Sequence, residues 1–142
     1  MSARDAVEEA NAAIGAAVST CTLPADDEAV LLDVQYELLE LADALAAGVP
    51  VPELPRLWRA ARDLGPLAVP RGFEVLGGLS AAAGLLKLAR AVSRRAAREA
   101  PADAVPVLDR LGDVLLALAF RAEERERSLG YVGSCADCAD GC

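Results

Sequence analysis

The chain has 142 residues, which is enough for one domain with a substantial core. Its composition is 54% hydrophobic but only 4% aromatic, which favours closely packed helices and argues against a β-sandwich. A net charge of −8 argues against nucleic acid as a partner, because phosphate binding needs a basic surface. The absence of histidine removes the commonest general base and the commonest metal ligand.

Apolar residues recur at helical spacing along most of the chain. The first predicted helix ends near Thr20, and the second is capped by Asp26 or Asp27 and stops at Gly48. The prolines of GVPVPELP then separate it from a short helix around residues 53–64. The predicted core positions of the first two helices are Val7, Ala10, Ile14, Ala17, Leu31, Val34, Leu38, Leu41 and Leu45.

The second half of the chain begins with GPLAVPRGFEVLGG, whose glycines and prolines predict a loop. A long helix is predicted from about Ser80 to Ala100, and a last helix from about Ala104 to Ser128 with Pro106 in its first turn. Their predicted buried positions are Leu85, Ala89, Val92, Ala96, Leu108, Leu111, Leu115 and Leu118. The pattern predicts an all-α, up-and-down bundle of four main helices and one short helix over residues 1–129.

Two charged rows interrupt the apolar pattern of the last two helices. Arg90, Arg94 and Arg98 follow at intervals of four residues, so they project from one side of the long helix. Asp109 and Asp113 have the same spacing on the last helix. One interpretation is a solvated face with weak surface ion pairs. The other is an anion site, in which the arginines bind a triphosphate and a carboxylate orients it. Spacing alone leaves both open.

The sequence predicts a cytoplasmic protein with no membrane partner. The N-terminus lacks a basic start followed by an unbroken apolar run, which a signal peptide would need. No window reaches the roughly 18 uncharged apolar residues of a membrane span. Cysteines in a reducing compartment are expected as thiols or metal ligands rather than as disulfides.

The closing stretch GSCADCADGC predicts a flexible, cysteine-rich tail over residues 130–142. Cys135, Cys138 and Cys142 are close enough in sequence to hold one zinc, copper(I) or iron ion. Cys21, a thiol of another subunit or the terminal carboxylate is a candidate fourth ligand. The alternatives are a disordered tail whose cysteines have little functional role, or a tail that transfers a metal or a cofactor to a partner protein.

Four segments resemble a known family in the order in which that family carries them. VEEANAAIG is similar to its V-D-E-L-N-S-x-I-G helix, and LLDVQYELLELADALA to its L-x-x-I-Q-x-x-L-F-x-L-G-A-x-L-A helix. GFEVLGG resembles its Phe-x-Leu-Pro-Gly-Gly loop, followed by a helix similar to A-R-x-x-C-R-R-A-E-R. VLDRLGDVLLALAFR is similar to N-R-L-S-D-x-L-F-x-L-A-R. The family is that of the PduO-type ATP:corrinoid adenosyltransferases, and the similarity covers about residues 6–127.

The resemblance implies a five-helix bundle that forms a homotrimer and moves the adenosyl group of ATP onto cobalt(I). Phe73 matches the loop aromatic that packs under the corrin and helps to expel the lower ligand of cobalt. Arg90 and Asp113 match a pair that joins two helices, whereas Arg94 and Arg98 match positions that touch the nucleotide. An alternative gives Phe73 the role of plugging the bundle end and Arg90–Asp113 that of a clamp between helices.

The chain also departs from the family pattern. Only MSAR stands where the family has a phosphate-binding T-G-x-G-D-x-G-x-T stretch, so we expect ATP binding to be weak. Ala97 replaces a glutamate, Leu76 replaces the loop proline, and Asp109 replaces an asparagine, adding negative charge to a triphosphate site.

The leading hypothesis is a degenerate adenosyltransferase-like homotrimer that binds a corrinoid or related ligand at a subunit interface, with the thiol tail as a metal or redox element. That tail could also enter the corrin pocket to ligate or reduce cobalt. The rivals are an active adenosyltransferase with a remodelled nucleotide site, and a metal-binding or scaffold protein that kept only the bundle. A corrinoid-dependent enzyme or a metal-handling protein is the expected partner.

Overall fold

The computed structural model describes residues 2–65, 69–73 and 80–130, and all regular structure in these ranges is helical. Five helices follow one another, confirming the all-α fold predicted from the apolar spacing. No helix in these ranges is long and apolar enough to cross a membrane. The helices are α1 (Ala3–Ser19), α2 (Ala25–Ala47), α3 (Pro55–Leu64), α4 (Ala81–Glu99) and α5 (Val105–Ser128).

The helices pack as an up-and-down bundle. Helix α1 lies between α2 and α4, α5 lies beside α4, and the short α3 packs against both α5 and α2. An ion pair joins Asp27, near the start of α2, to Arg121, near the end of α5, so these helices run antiparallel. Glu9 in the first half of α1 likewise pairs with Arg95 late in α4. The short connections between α1 and α2 and between α4 and α5 complete the alternation.

Small residues let α1, α4 and α5 approach closely. Fully buried alanines occur on all three helices, among them Ala17, Ala89 and Ala119. Gly112 of α5 faces α4, because a β-carbon placed there would lie 3.7 Å from Cγ of Arg90 and 3.8 Å from Cγ of Arg94. Leucines fill the remaining space; the largest fully buried side chains are Ile14, Leu31, Leu38, Leu41, Leu54, Leu57, Leu86, Leu108, Leu111, Leu115, Leu118 and Val7.

The predicted cap of α2 is wrong. The helix begins at Ala25 after Pro24, and no side chain caps it, so Asp26 and Asp27 lie inside its first turn. Acidic residues there still favour the helix, because they face the positive end of its dipole. Asp27 points instead to α5, where Arg121 offers it a cation. Gly48 ends the helix as predicted, with a φ of 66°.

Three further positions differ from the predicted pattern. Leu45 of α2 and Leu85 of α4 are predicted to be buried, but both are only half-buried. On α4, Leu86 rather than Leu85 reaches the core. Because one turn holds 3.6 residues, either leucine fits the apolar stripe and only packing selects between them. Helix α3 begins at Pro55 rather than at Glu53, since proline is favoured in a first turn, where its missing N–H costs no hydrogen bond.

A residue of α2 caps the start of α3. Glu37 is buried, and its Oε1 accepts a hydrogen bond from the backbone N–H of Arg56 at 2.6 Å. Its Oε2 accepts one from the N–H of Leu57 at 2.7 Å. Leu54, which precedes the helix, has no side chain able to cap it. Glu37 therefore satisfies two N–H groups that lack intrahelical partners and fixes α3 on the bundle.

Candidate functional site

Phe73 lies at the end of the bundle where α4 begins and α5 ends. Its side chain is only 6% exposed, and its ring meets that of Phe120 edge-to-face with 5.4 Å between the centroids. Lys87 of α4 makes two further contacts with this residue. Its Nζ lies 4.5 Å from the ring centroid and donates a hydrogen bond to the backbone carbonyl of Phe73 at 3.0 Å. Three contacts therefore fix this aromatic residue.

The arginine row runs along α4 beside α5. Arg90 is half-buried, and its Nε is shielded from water without a hydrogen-bond partner. The aliphatic stems of Arg90 and Arg94 pack over Gly112. Arg94 and Arg98 are exposed to solvent. The absence of a side chain at Gly112 leaves room for both stems. It thereby places two guanidinium groups beside the face of α5 that carries the aspartates.

Asp109 and Asp113 are exposed on that face of α5. Gly112, on which the arginine stems pack, immediately precedes Asp113. No ion pair within the described ranges joins Arg90 to Asp113, although the resemblance implies this pair. The structure thus brings the two rows onto neighbouring helix surfaces but leaves the predicted clamp unformed in this chain.

Asp113 lines a cleft of about 640 Å³ between α3 and α5. Arg110 is the second charged group that α5 contributes, and its guanidinium carbon lies 5.3 Å from the Trp58 ring centroid. The remaining wall is largely apolar. The other residues lining the cleft are Ala61, Arg62, Leu64, Gly65, Val69, Val114, Leu116 and Ala117. A flat apolar molecule with polar substituents would find matching surfaces here.

The cleft and Phe73 share one face of α5. Leu116 lines the cleft, and Phe120 follows it by four residues, so both lie on the same side of the helix. The Phe120 ring, farther along that face, contacts the Phe73 ring. Among the residues predicted for function, Asp113 therefore lines the cleft, whereas Phe73 is buried beside Phe120. Arg90 and Arg94 of α4 pack on Gly112, the residue before Asp113.

Sequence reasoning missed the roles of Lys87 and Phe120 beside Phe73. Lys87 stands in the otherwise apolar run AAAGLLKLARAV, and a lone lysine in a helix stripe signals a specific partner. It also missed a contact between Asn11 and Gln35, although both belong to the matched motifs. Asn11 Nδ2 donates to the Gln35 carbonyl at 3.3 Å, and Gln35 Nε2 donates to the Asn11 carbonyl at 3.2 Å.

The cysteine tail lies outside the described residues, so Cys135, Cys138 and Cys142 remain a sequence prediction. Cys21 is exposed and unpaired in the turn between α1 and α2, with a φ of 58°. Within residues 2–65, 69–73 and 80–130, no group of three acidic, cysteine or histidine side chains could hold a metal ion.

Comparison with curated proteins found no match. A model of the family described as cobalamin adenosyltransferase matches residues 1–122, which include helices α1 to α4 and most of α5. The match agrees with the five-helix bundle and supports a corrinoid-related function. The chain therefore belongs to the cobalamin adenosyltransferase family.

Proposed function

We propose that this protein binds a corrinoid in the cleft between α3 and α5, beside Phe73, and transfers adenosyl from ATP poorly or not at all. The observation that carries this proposal is the largely apolar cleft, whose wall residue Leu116 lies one helical turn before Phe120, the ring partner of the buried Phe73. In a member of the cobalamin adenosyltransferase family, this surface is the best candidate for the corrinoid side of the site.

The lining of the cleft fits the chemistry of a corrin ring. The macrocycle is apolar and carries polar amide substituents at its edge, so it needs an apolar wall with polar groups at the rim. Val69, Val114 and Leu116 provide such a wall, and Asp113 and Arg110 provide the charged rim. The resemblance gives Phe73 the role of an apolar ring without a donor atom, which favours cobalt that has lost its lower ligand; to take this role, the ring would have to turn from Phe120 and Lys87 toward the corrin.

The proposal of weak adenosyl transfer is supported by the charges around the arginine row. Arg94 and Arg98 offer exposed guanidinium groups to a triphosphate. Asp109 and Asp113 add two exposed carboxylates on the neighbouring helix face, and Ala97 offers no polar group. Negative charge close to the phosphates disfavours their binding, so the row should hold ATP weakly.

Cobalamin absorption spectra test the corrinoid part. Adding cobalamin to the protein should move the spectrum toward the form without the lower ligand. Phe73→Leu keeps an apolar side chain in the buried position and should abolish the change, with circular dichroism confirming that the helices remain. Phe120→Leu, which removes the other ring of the same aromatic pair, should retain the spectral change. A wild-type protein that leaves the spectrum unchanged would favour the scaffold alternative.

A reaction assay tests the second candidate function, an active adenosyltransferase with a remodelled nucleotide site. It is favoured by the exposed arginines of α4, which point away from the core and are available to a ligand. With ATP and cob(I)alamin under reducing conditions, we expect little adenosylcobalamin. Rapid formation that is lost in Arg94→Ala would establish the active enzyme and contradict our proposal.

We further propose that the protein is a homotrimer. Leu32, Tyr36 and Leu39 follow one face of α2 at helical spacing and are exposed, Tyr36 by 66%. Such an apolar stripe is unusual on a monomer and fits burial against another subunit. Light scattering at micromolar concentration should give a trimer, and Tyr36→Glu should weaken it. A wild-type monomer would contradict this assembly.

The tail is proposed to bind a soft metal through Cys135, Cys138 and Cys142. The two loops between these cysteines are short, so closing them around one ion costs little entropy. Protein purified without oxygen should contain zinc, copper(I) or iron. Truncation after Ser134 should remove that metal with little change in melting temperature, because the core is built from α1–α5. Metal that survives truncation would place the site elsewhere.

A further inference from the structure

A second cavity, of about 350 Å³, lies between α2, α3 and the end of α5. Apart from Leu64, which lines both cavities, its α3 residues differ from those of the cleft described above and include Arg59, Ala60 and Asp63. Its walls combine charged side chains with the apolar Val30 and Leu64. Neither the matched motifs nor the proposed corrinoid site accounts for this cavity.

One side of the cavity holds a carboxylate oxygen that lacks a donor. Asp27 is only 3% exposed, and its Oδ1 accepts from Arg121 Nη2 at 3.1 Å. Its Oδ2 is shielded from solvent and has no hydrogen-bond partner. Burial raises the pKa of this carboxyl above 3.8 despite the nearby guanidinium. A buried acceptor without a donor is costly, so a ligand that supplies a cationic N–H would be stabilised there.

The opposite charge is available at the rim. Arg59 is exposed and forms no ion pair within the described ranges. Arg56 beside it reaches Asp33 only at 4.0 Å. Val30, Ala60 and Leu64 provide apolar surface in the same cavity. The cavity thus offers a buried carboxylate with one oxygen that lacks a donor, an exposed cation without an ion pair at the rim, and an aliphatic wall.

We propose that this cavity binds a small zwitterion, a short aliphatic amine that carries a carboxylate or phosphate at its other end. The ammonium group pairs with the Asp27 carboxylate, the acidic group pairs with Arg59, and the chain lies on Val30 and Ala60. The lining shares Leu64 with the cleft proposed for the corrinoid, but the proposal uses neither Phe73 nor the arginine row of α4 and does not rest on the corrinoid function.

The test uses three matched probes: δ-aminovalerate, pentylamine, which lacks the acid, and valerate, which lacks the amine. Binding is followed by backbone amide chemical shifts of the full chain. We expect δ-aminovalerate to perturb the amides of α2 and α3 around the cavity and to bind about tenfold more tightly than either single-charge probe, as one added charge-assisted contact would give.

Variants separate the two ends of the site. Asp27→Asn should weaken δ-aminovalerate and pentylamine, whereas Arg59→Gln should weaken δ-aminovalerate and valerate. Arg4→Gln, on exposed α1, should change neither. Because Arg59 is exposed, its variant tests the proposal even if Asp27→Asn unfolds the chain. If no amide chemical shift changed at millimolar probe concentrations, water would satisfy Asp27 and the proposal would be wrong. Equal binding of the three probes, or binding of δ-aminovalerate that is unchanged in Arg59→Gln, would also overturn it.

Discussion

The contacts of α4 and those of α2 are built by different physical means. Where α4 meets α1 and α5, the contact consists of small and apolar side chains, with Gly112 leaving room for arginine stems. On α2, buried carboxylates contact other helices, Glu37 at the start of α3 and Asp27 at Arg121 of α5. The contacts of α4 tolerate changes that preserve volume. Those of α2 depend on individual hydrogen bonds, because a buried charge without partners is costly.

The largest effect is expected at Glu37. Glu37→Ala removes the acceptor of two backbone N–H groups and should lower the free energy of unfolding by about 3 kcal/mol. Glu37→Gln retains one acceptor oxygen and should cost about half as much. Chemical denaturation measures both. Glu40→Ala, an exposed position on the same helix, is the control and should change stability by less than about 0.5 kcal/mol. Equal effects at both positions would contradict the cap.

A smaller effect of mixed sign is expected at Gly112. Gly112→Leu should destabilise by about 2 kcal/mol, because its branched side chain must displace the stems of Arg90 and Arg94. Gly112→Ala should instead stabilise by up to about 1 kcal/mol, since its β-carbon makes ordinary contacts at 3.7–3.8 Å and alanine favours the helix. Melting temperatures of the two variants test this prediction. A lower melting temperature in Gly112→Ala would show that α4 and α5 pack too closely at this position for a β-carbon.

The start of α1 provides a local counterpart to the distant cap of α3. Ser2 Oγ accepts from the N–H of Asp5, whose carboxylate accepts in return from the N–H of Ser2. Ser2→Ala should cost about 1 kcal/mol, less than the loss of Glu37. Hydrogen bonds from the Ser2 side chain and then from its backbone N–H lower the pKa of Asp5 below 3.8; the variant removes the side-chain hydrogen bond and should therefore raise this pKa, as NMR titration would report. An unchanged pKa would contradict the capping box.

The smallest effect at neutral pH is expected for Asp27→Asn, because losing the contact with Arg121 and relieving a buried charge oppose each other. Burial raises the pKa of Asp27, so above 3.8 the folded state retains the proton more than the unfolded chain does. Its contribution to stability therefore falls as pH rises through that window. Asp27→Asn should flatten this fall in melting temperature, whereas exposed Asp26→Asn should not. If Asp27→Asn left the pH dependence of the melting temperature unchanged, the raised pKa of Asp27 would be contradicted.

The candidate site was predicted unevenly from the sequence. Regular spacing identified Arg90, Arg94 and Arg98 as one row, and the structure places Arg90 and Arg94 on the α4 surface beside α5. Spacing could not identify Phe120 as the partner of Phe73, because the two residues are far apart in sequence and meet only where α5 ends. Nor could it show that Asp113 borders a cleft with α3 rather than pairing with Arg90.

The sequence by itself determined the five helices, most of their ends and most of their buried faces. Those features follow from the spacing of apolar residues and from glycine, proline and serine at the termini. Only the tertiary structure decided the choice of Leu86 over Leu85 and the roles of Asp27 and Glu37. Helix periodicity is a local property, whereas the partner of a buried carboxylate depends on which distant backbone or guanidinium group packing brings within hydrogen-bond distance.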